Sequence, residues 1–157
     1  MSPDLSASDS RVWYLARMTK SVCDVLLTEA PLTYPVEIPV MMTGAVLDFW
    51  GVVRGEEEGS AIRGIDYQAH RPMAEHQLRR IAREASERFP VLHLLIHHRI
   101  GFVPVGEASL LVQIRSRHRA EAFRASEWIV AELKRRVPIW KHPKGALTSK
   151  PELATAQ

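Results

Sequence analysis

The sequence predicts an α+β domain in which two long helices cover one face of a largely antiparallel sheet. Three observations carry this. The elements run strand, strand, helix, strand, strand, helix, a layered order rather than a strict βαβ alternation. Two stretches repeat their apolar residues at helical spacing, and each is closed by a proline, Pro90 and Pro138. The remaining structured stretches are short, and rich in β-branched and aromatic residues. The 157 residues, 46% hydrophobic and 25% charged, suit one domain with a buried core.

Residues 1–20 are rich in Ser, Asp and Pro and read as a loose, flexible extension. Pro31, Pro35 and Pro39 argue against a long helix over 28–43. Gly44 to Val53 reads as a strand, Gly55 to Gly59 as a polar turn bounded by glycines, and Ala61 to Ala69 as a second strand with Ile65 and Tyr67 on one face. Pro72 then opens a helix, a position where its missing N–H costs nothing. Ala74, Leu78, Ile81, Ala82, Ala85 and Phe89 form its buried stripe. Val91 to His98 and Ala108 to Arg115 are the third and fourth strands, joined by a turn-rich connection from Arg99 to Gly106. Ser116 is the expected cap of the second helix, whose apolar positions include Ala122, Phe123, Ser126, Ile129, Val130, Leu133 and Val137. The tail from 142 to 157 holds Pro143, Gly145 and Pro151 and reads as irregular, leaving 21–141 as the domain proper.

No apolar run approaches the roughly 18 residues that span a bilayer, and Met1 to Ser10 lacks the basic start and apolar stretch of a secretory signal. The expectation is a cytoplasmic protein without a membrane partner. A single cysteine, Cys23, excludes an internal disulfide framework and reads as a half-buried thiol without chemistry. Net charge is +3, but the cations are clustered. Arg115, Arg117, His118, Arg119 and Arg124 form one group, and Lys134, Arg135, Arg136, Lys141, His142 and Lys144 another. Such asymmetry points to an anionic partner. The aromatics are not interleaved with these clusters as base-stacking platforms would be, which argues against nucleic acid. There is no glycine-rich dinucleotide or phosphate loop and no nucleophile elbow. In a strand, His93 and His97 share a face while His98 points the other way, and no further ligand lies near, so no metal site is expected.

The candidate anion-binding residues sit at element ends. Arg54 closes a strand beside the glycine-bounded turn. His118 and Arg119 open a helix, where free N–H groups and the dipole favour an anion. Lys134 lies at the edge of an apolar stripe and can reach over it into a cleft, and Lys141 follows the rigid exit Pro138-Ile-Trp140.

At these residues the sequence resembles the family of molybdopterin synthase large, catalytic subunits. The segments are Phe49-Trp-Gly-Val-Val-Arg54, Glu58-Gly59, Pro72-Met-Ala74, His98-Arg-Ile-Gly101, Val105-Gly-Glu107, Ser116-Arg-His-Arg119-Ala-Glu-Ala-Phe123 and Leu133-Lys-Arg-Arg-Val-Pro-Ile-Trp-Lys141, in the family's order from about Gly44 to Lys141. The last two, separated by one helix, are the most specific. The resemblance implies an α/β-hammerhead fold and a homodimer. Each end of the dimer would bind a small ubiquitin-like sulfur carrier, giving a heterotetramer in molybdenum cofactor biosynthesis. The carrier's C-terminal Gly-Gly thiocarboxylate would give its sulfur to cyclic pyranopterin monophosphate, in two transfers that build the dithiolene, with no cofactor of the enzyme's own. By matching position Lys134 and Lys141 are the catalytic lysines. Arg54, His118 and Arg119, with Val52, Val53 and His142 beside them, are the substrate-binding set. Acid/base, nucleophilic and charge-stabilising roles all remain open to the lysines. After Lys141 the chain departs from the family pattern, reading His142-Pro143-Lys144-Gly145 with no tryptophan beyond Trp140. A carrier-binding homologue without turnover is therefore the alternative expectation.

Overall fold

The computed structural model describes residues 22–35 and 41–145. The expected flexible extension over 1–20 lies outside the described residues. The elements are β1 (Val22–Thr28), β2 (Ala45–Val52), β3 (Glu56–Glu57), β4 (Ser60–Ala69), α1 (Arg71–Arg88), β5 (Val91–Arg99), β6 (Gly101–Pro104), β7 (Ala108–Ser116), α2 (Arg119–Arg136) and β8 (Ile139–Gly145). No helix among them is long and apolar enough to cross a membrane.

The strands form two sheets. The first has the order β1-β5-β7-β2, antiparallel except for the parallel β1–β5 pair. In the second, β4 pairs antiparallel with β6, β8 and the short β3. Both helices lie against the first sheet. Leu94 and Ile96 stand opposite Ile114 and Val112 in register, and all four are fully buried. Ala74, Leu78, Ile81, Ala82 and Ala85 of α1 join the same core, as do Ala122, Ala125, Ile129 and Leu133 of α2. Alternation in the strands and helical spacing in the covering elements thus meet at one layer, which is why the two-helix stripe was readable.

Several local expectations are corrected. Ser116 is not the helix cap. His118 holds that position without a side-chain capping bond, while the Ser116 hydroxyl donates to the His118 carbonyl at 2.7 Å. The connection 99–106 contains a strand, β6: Gly101, at φ +77°, bends the chain out of β5 and passes it into the second sheet. Residues 142–145 are not irregular but complete β8, which pairs with β4 as far as Gly145. Pro143 is tolerated because β8, among the described residues, pairs only with β4 and lies at the edge of its sheet. The expected turn is a hairpin, with Glu58 (φ +51°) and Gly59 (φ +77°) between β3 and β4.

One close approach fixes the second sheet. A Cβ on Gly64 of β4 would come within 2.5 Å of the Phe102 ring and 2.6 Å of the Val103 carbonyl oxygen, so β6 can lie this near only a glycine.

Candidate active site

A cavity of about 560 Å³ opens where the two sheets and the C-terminal end of α2 meet. The strand ends supply Phe49, Gly51 and Val52 from β2, and Ser109 and Leu110 from β7. Tyr67 comes from β4 and His98 from the end of β5. Helix α2 contributes Val130, Leu133 and Lys134, and the following segment contributes Val137, Ile139 and Lys141. Most of this wall is apolar. The cations Arg54, Lys134 and Lys141 stand around it.

Each cation has a structural reason for its place. Lys134 is one helical turn past Val130 and next to buried Leu133, so its stem crosses the apolar wall. The end of α2 is held by Arg136, whose guanidinium forks onto Glu84 of α1 at 2.6 and 3.0 Å and reaches Glu132 at 3.1 Å. These hydrogen bonds, with a further one from Arg80, hold the Glu84 carboxyl down at about 2. Lys141 sits opposite Tyr67 in the β4–β8 register, so both side chains point to the cavity face. Arg54 follows β2, and the neighbouring Val53 exchanges backbone hydrogen bonds with Glu107 and Gly106 (3.0 and 2.9 Å). Glu107 is in turn clamped by Arg99, Nη1 to Oε2 at 2.5 Å.

The charges are unequally matched. Arg54 is paired with Glu57 at 3.3 Å. Lys134 and Lys141 have no carboxylate partner among the described residues, whereas their neighbours Arg135, Arg136 and Lys144 all do. Two unneutralised ammonium groups over an apolar wall form a site for an anionic ligand.

His98 is the cavity's other polar feature. Its Nδ1 lies 2.8 Å from the Arg99 carbonyl oxygen, which can only accept, so Nδ1 carries the proton and Nε2 the lone pair. The Tyr67 ring meets the imidazole edge-on, with centroids 5.5 Å apart and planes at 72°. Burial, and then the Lys141 charge against a partly offsetting bond to Arg99, push this imidazole down to about 4. Tyr67 is raised from its ordinary value, chiefly by burial, with the Ser109 hydroxyl acting against it.

Of the sequence-nominated residues, the structure brings Arg54, Val52, Lys134 and Lys141 to one cavity. It does not bring the rest. Val53 is 2% exposed and belongs to the core, because successive strand residues face opposite ways and Val52 takes the cavity side. His142 stands opposite Asp66, on the alternate face from the Tyr67–Lys141 pair. His118 and Arg119 are exposed at the start of α2. Fifteen residues separate Arg119 from Lys134, about 22 Å along a helix axis, so neither side chain reaches this cavity within one chain. Phe49, Tyr67, His98, Ser109 and Leu110 were not nominated as site residues. The signal available for His98 was the alternation that sets it opposite His93 and His97.

With this geometry in view, known proteins give a consistent answer. The family model described as "MoaE protein" matches residues 28–136. A curated relative from Pyrococcus abyssi, named molybdopterin synthase catalytic subunit, is 41% identical over 122 residues, covering 74% of this chain and 82% of the relative. The chain spans about half the length of the mammalian relatives of that name, 53% of the bovine one at 40% identity. Among solved structures, molybdopterin synthase from Staphylococcus aureus superposes with a TM-score of 0.70 at 31% identity, over 78% of this chain and 90% of that one. A chain from the Helicobacter pylori complex of subunits 1 and 2 of molybdopterin-converting factor shares the fold, with a TM-score of 0.57 at 19% identity, over 82% and 92% of the two chains.

Proposed function

The chain belongs to the MoaE protein family, which works in the making of molybdopterin, and we propose that it is the sulfur-transferring subunit of that reaction. Its cavity would receive the C-terminal thiocarboxylate of a small ubiquitin-like carrier together with cyclic pyranopterin monophosphate. The observation that carries the reading is the meeting of Lys134 and Lys141, unpaired, with Arg54 at one open cavity with a largely apolar wall.

Sulfur arrives on another protein, so the chain needs no nucleophilic thiol. Cys23 lies on β1, away from the cavity lining, with its thiol toward the Ala82 carbonyl. The carrier's sulfur bonds to a side-chain carbon of the pterin, and the oxygen which that carbon carried leaves, as water or as the freed oxygen of the opened phosphate ester. The acyl carbon–sulfur bond then breaks, with water oxygen replacing sulfur on the carrier's carboxyl and sulfur remaining on the pterin. The acyl carbon passes through a tetrahedral oxyanion, which a fixed ammonium stabilises where charge develops. We assign that contact to Lys141, on a strand braced by β4, and assign orientation and charge balance to Lys134. A second round completes the dithiolene. Arg54 is the phosphate partner within the chain. If His118 and Arg119 also hold the phosphate, a second copy of the chain must supply them, since their own helix carries them away from this cavity. A homodimer flanked by two carriers fits that requirement, and the Helicobacter pylori chain of the same fold was solved in complex with a second subunit.

The test is molybdopterin formation from purified chain, thiocarboxylated carrier and precursor. Lys141→Ala should lower turnover by at least about a hundredfold while keeping the fold, the scale of removing one stabilising donor from a developing oxyanion. Full activity in that variant would remove Lys141 from the chemistry. Carrier binding without product from the unaltered chain would favour a non-catalytic carrier-binding homologue instead.

A further inference from the structure

We infer that His98 is a positioning residue for Lys141: with the carrier tail seated, its neutral imidazole accepts at Nε2 a hydrogen bond from the lysine ammonium that the free chain does not make, and aims that ammonium at the carrier's terminal carbonyl. This rests on the function proposed above and adds a residue to its machinery.

Three independent features point to it. The tautomer is fixed from behind, because the Arg99 carbonyl takes the Nδ1 proton at 2.8 Å. Nε2 then has a lone pair and no hydrogen-bonding partner among the described residues, on a ring that lines the cavity. The ring's position is fixed from the side by the edge-on Tyr67 contact, and Tyr67 is the direct cross-strand neighbour of Lys141. A rigid acceptor on β5 and a flexible amine on β8 therefore face one cavity from two braced strands. Finally, Lys141 lines the same cavity as the imidazole and has no carboxylate partner among the described residues.

The choice of an imidazole has a chemical logic. A carboxylate beside Lys141 would orient the ammonium but cancel the positive charge that the oxyanion needs. A neutral acceptor orients it and leaves the charge intact. The Lys141 charge and the burial both resist protonation of His98, so the acceptor stays an acceptor at neutral pH. Lysine has three N–H bonds; one goes to His98 and the others remain for the carrier.

The test uses two amides that divide the imidazole between them. In His98→Gln the side-chain oxygen stands near the Nε2 position and can accept from Lys141. In His98→Asn the amide NH2 stands near Nδ1, keeps the bond to the Arg99 carbonyl and offers Lys141 nothing. We expect kcat in the product assay to fall about ten- to hundredfold in His98→Asn, the scale of one hydrogen bond to a charged group, with the KM for the carrier unchanged. His98→Gln should recover most of the loss. An active wild-type chain with His98→Gln no better than His98→Asn overturns the assignment, as does parallel unfolding of both variants, which would give His98 a purely structural role. An inactive wild-type chain would instead overturn the sulfur-transfer reading itself.

Discussion

Moving from about pH 7 to about pH 5 should destabilise the chain by roughly 2 kcal/mol through His98 alone, and His98→Gln should abolish that component. The perturbation acts on a histidine whose folded-state value is about 4 against an ordinary 6.5. The sign follows from proton counting. Between those two values the unfolded chain binds a proton at this residue and the folded chain does not, so acid favours unfolding. The contribution is fully present above the ordinary histidine range and is lost as pH falls toward 4. Integration over the interval gives the roughly 2 kcal/mol, an upper figure because the ring opens on the cavity and water there screens its charge. The assay is denaturant unfolding of wild type and His98→Gln at both pH values. His93 is also lowered by burial and by Arg115 and pulls the same way, but it is common to both proteins and cancels in the difference. Glu84, held at about 2, loses its contribution only below the ordinary carboxylate range, outside this window. Equal pH dependence in the two proteins would refute a buried neutral His98.

Three further outcomes follow from the geometry. If the chain pairs as proposed, a purified mixed dimer of Lys141→Ala chains with His118→Ala/Arg119→Ala chains should recover about half the wild-type rate per dimer, since both defects then fall in one cavity and leave the other intact; a dead mixed dimer would mean that each cavity carries one defect and takes all its residues from a single chain. Gly64→Ala should cost roughly 2–3 kcal/mol in denaturant unfolding, because the new methyl meets both the Phe102 ring and the Val103 carbonyl; a neutral result would mean that β6 moves freely. Glu84→Gln should flatten the acid limb of the unfolding curve between the ordinary carboxylate value and about 2, where the native ion pair with Arg136 otherwise titrates; an unchanged limb would show that the clamp is not what lowers Glu84.

The long elements were legible because each carries its own signal. The stripe from Ala74 to Ala85 and that from Ala122 to Leu133 repeat at helical spacing, and Leu94, Ile96, Val112 and Ile114 alternate or cluster as strand cores do. The strands that escaped notice are short or lie at edges. β6 is four residues between Gly101 and Pro104, β8 contains Pro143, and β1 is mostly exposed. Their pairing is set by neighbours remote in sequence, to which local pattern is blind. The site divides in the same way. Lys134, Lys141 and Arg54 announce themselves as cations at the ends of apolar elements. Tyr67 and His98 become site residues only when two sheets bring β4, β5 and β8 together. His118 and Arg119 stand apart from these within one chain, because motif order carries no measure of distance and a straight helix keeps its two ends apart.

The bend at Gly101 gives this architecture a division of labour. It carries one continuous run of chain from the sheet that the helices cover to the sheet that carries Lys141, so the cavity lies on a fold line between two panels. The helix-backed panel bears the apolar burden of folding, while the smaller panel supplies one jaw of the cavity. The cavity can therefore be reshaped through the small panel and its edge strand, without disturbing what keeps the molecule folded.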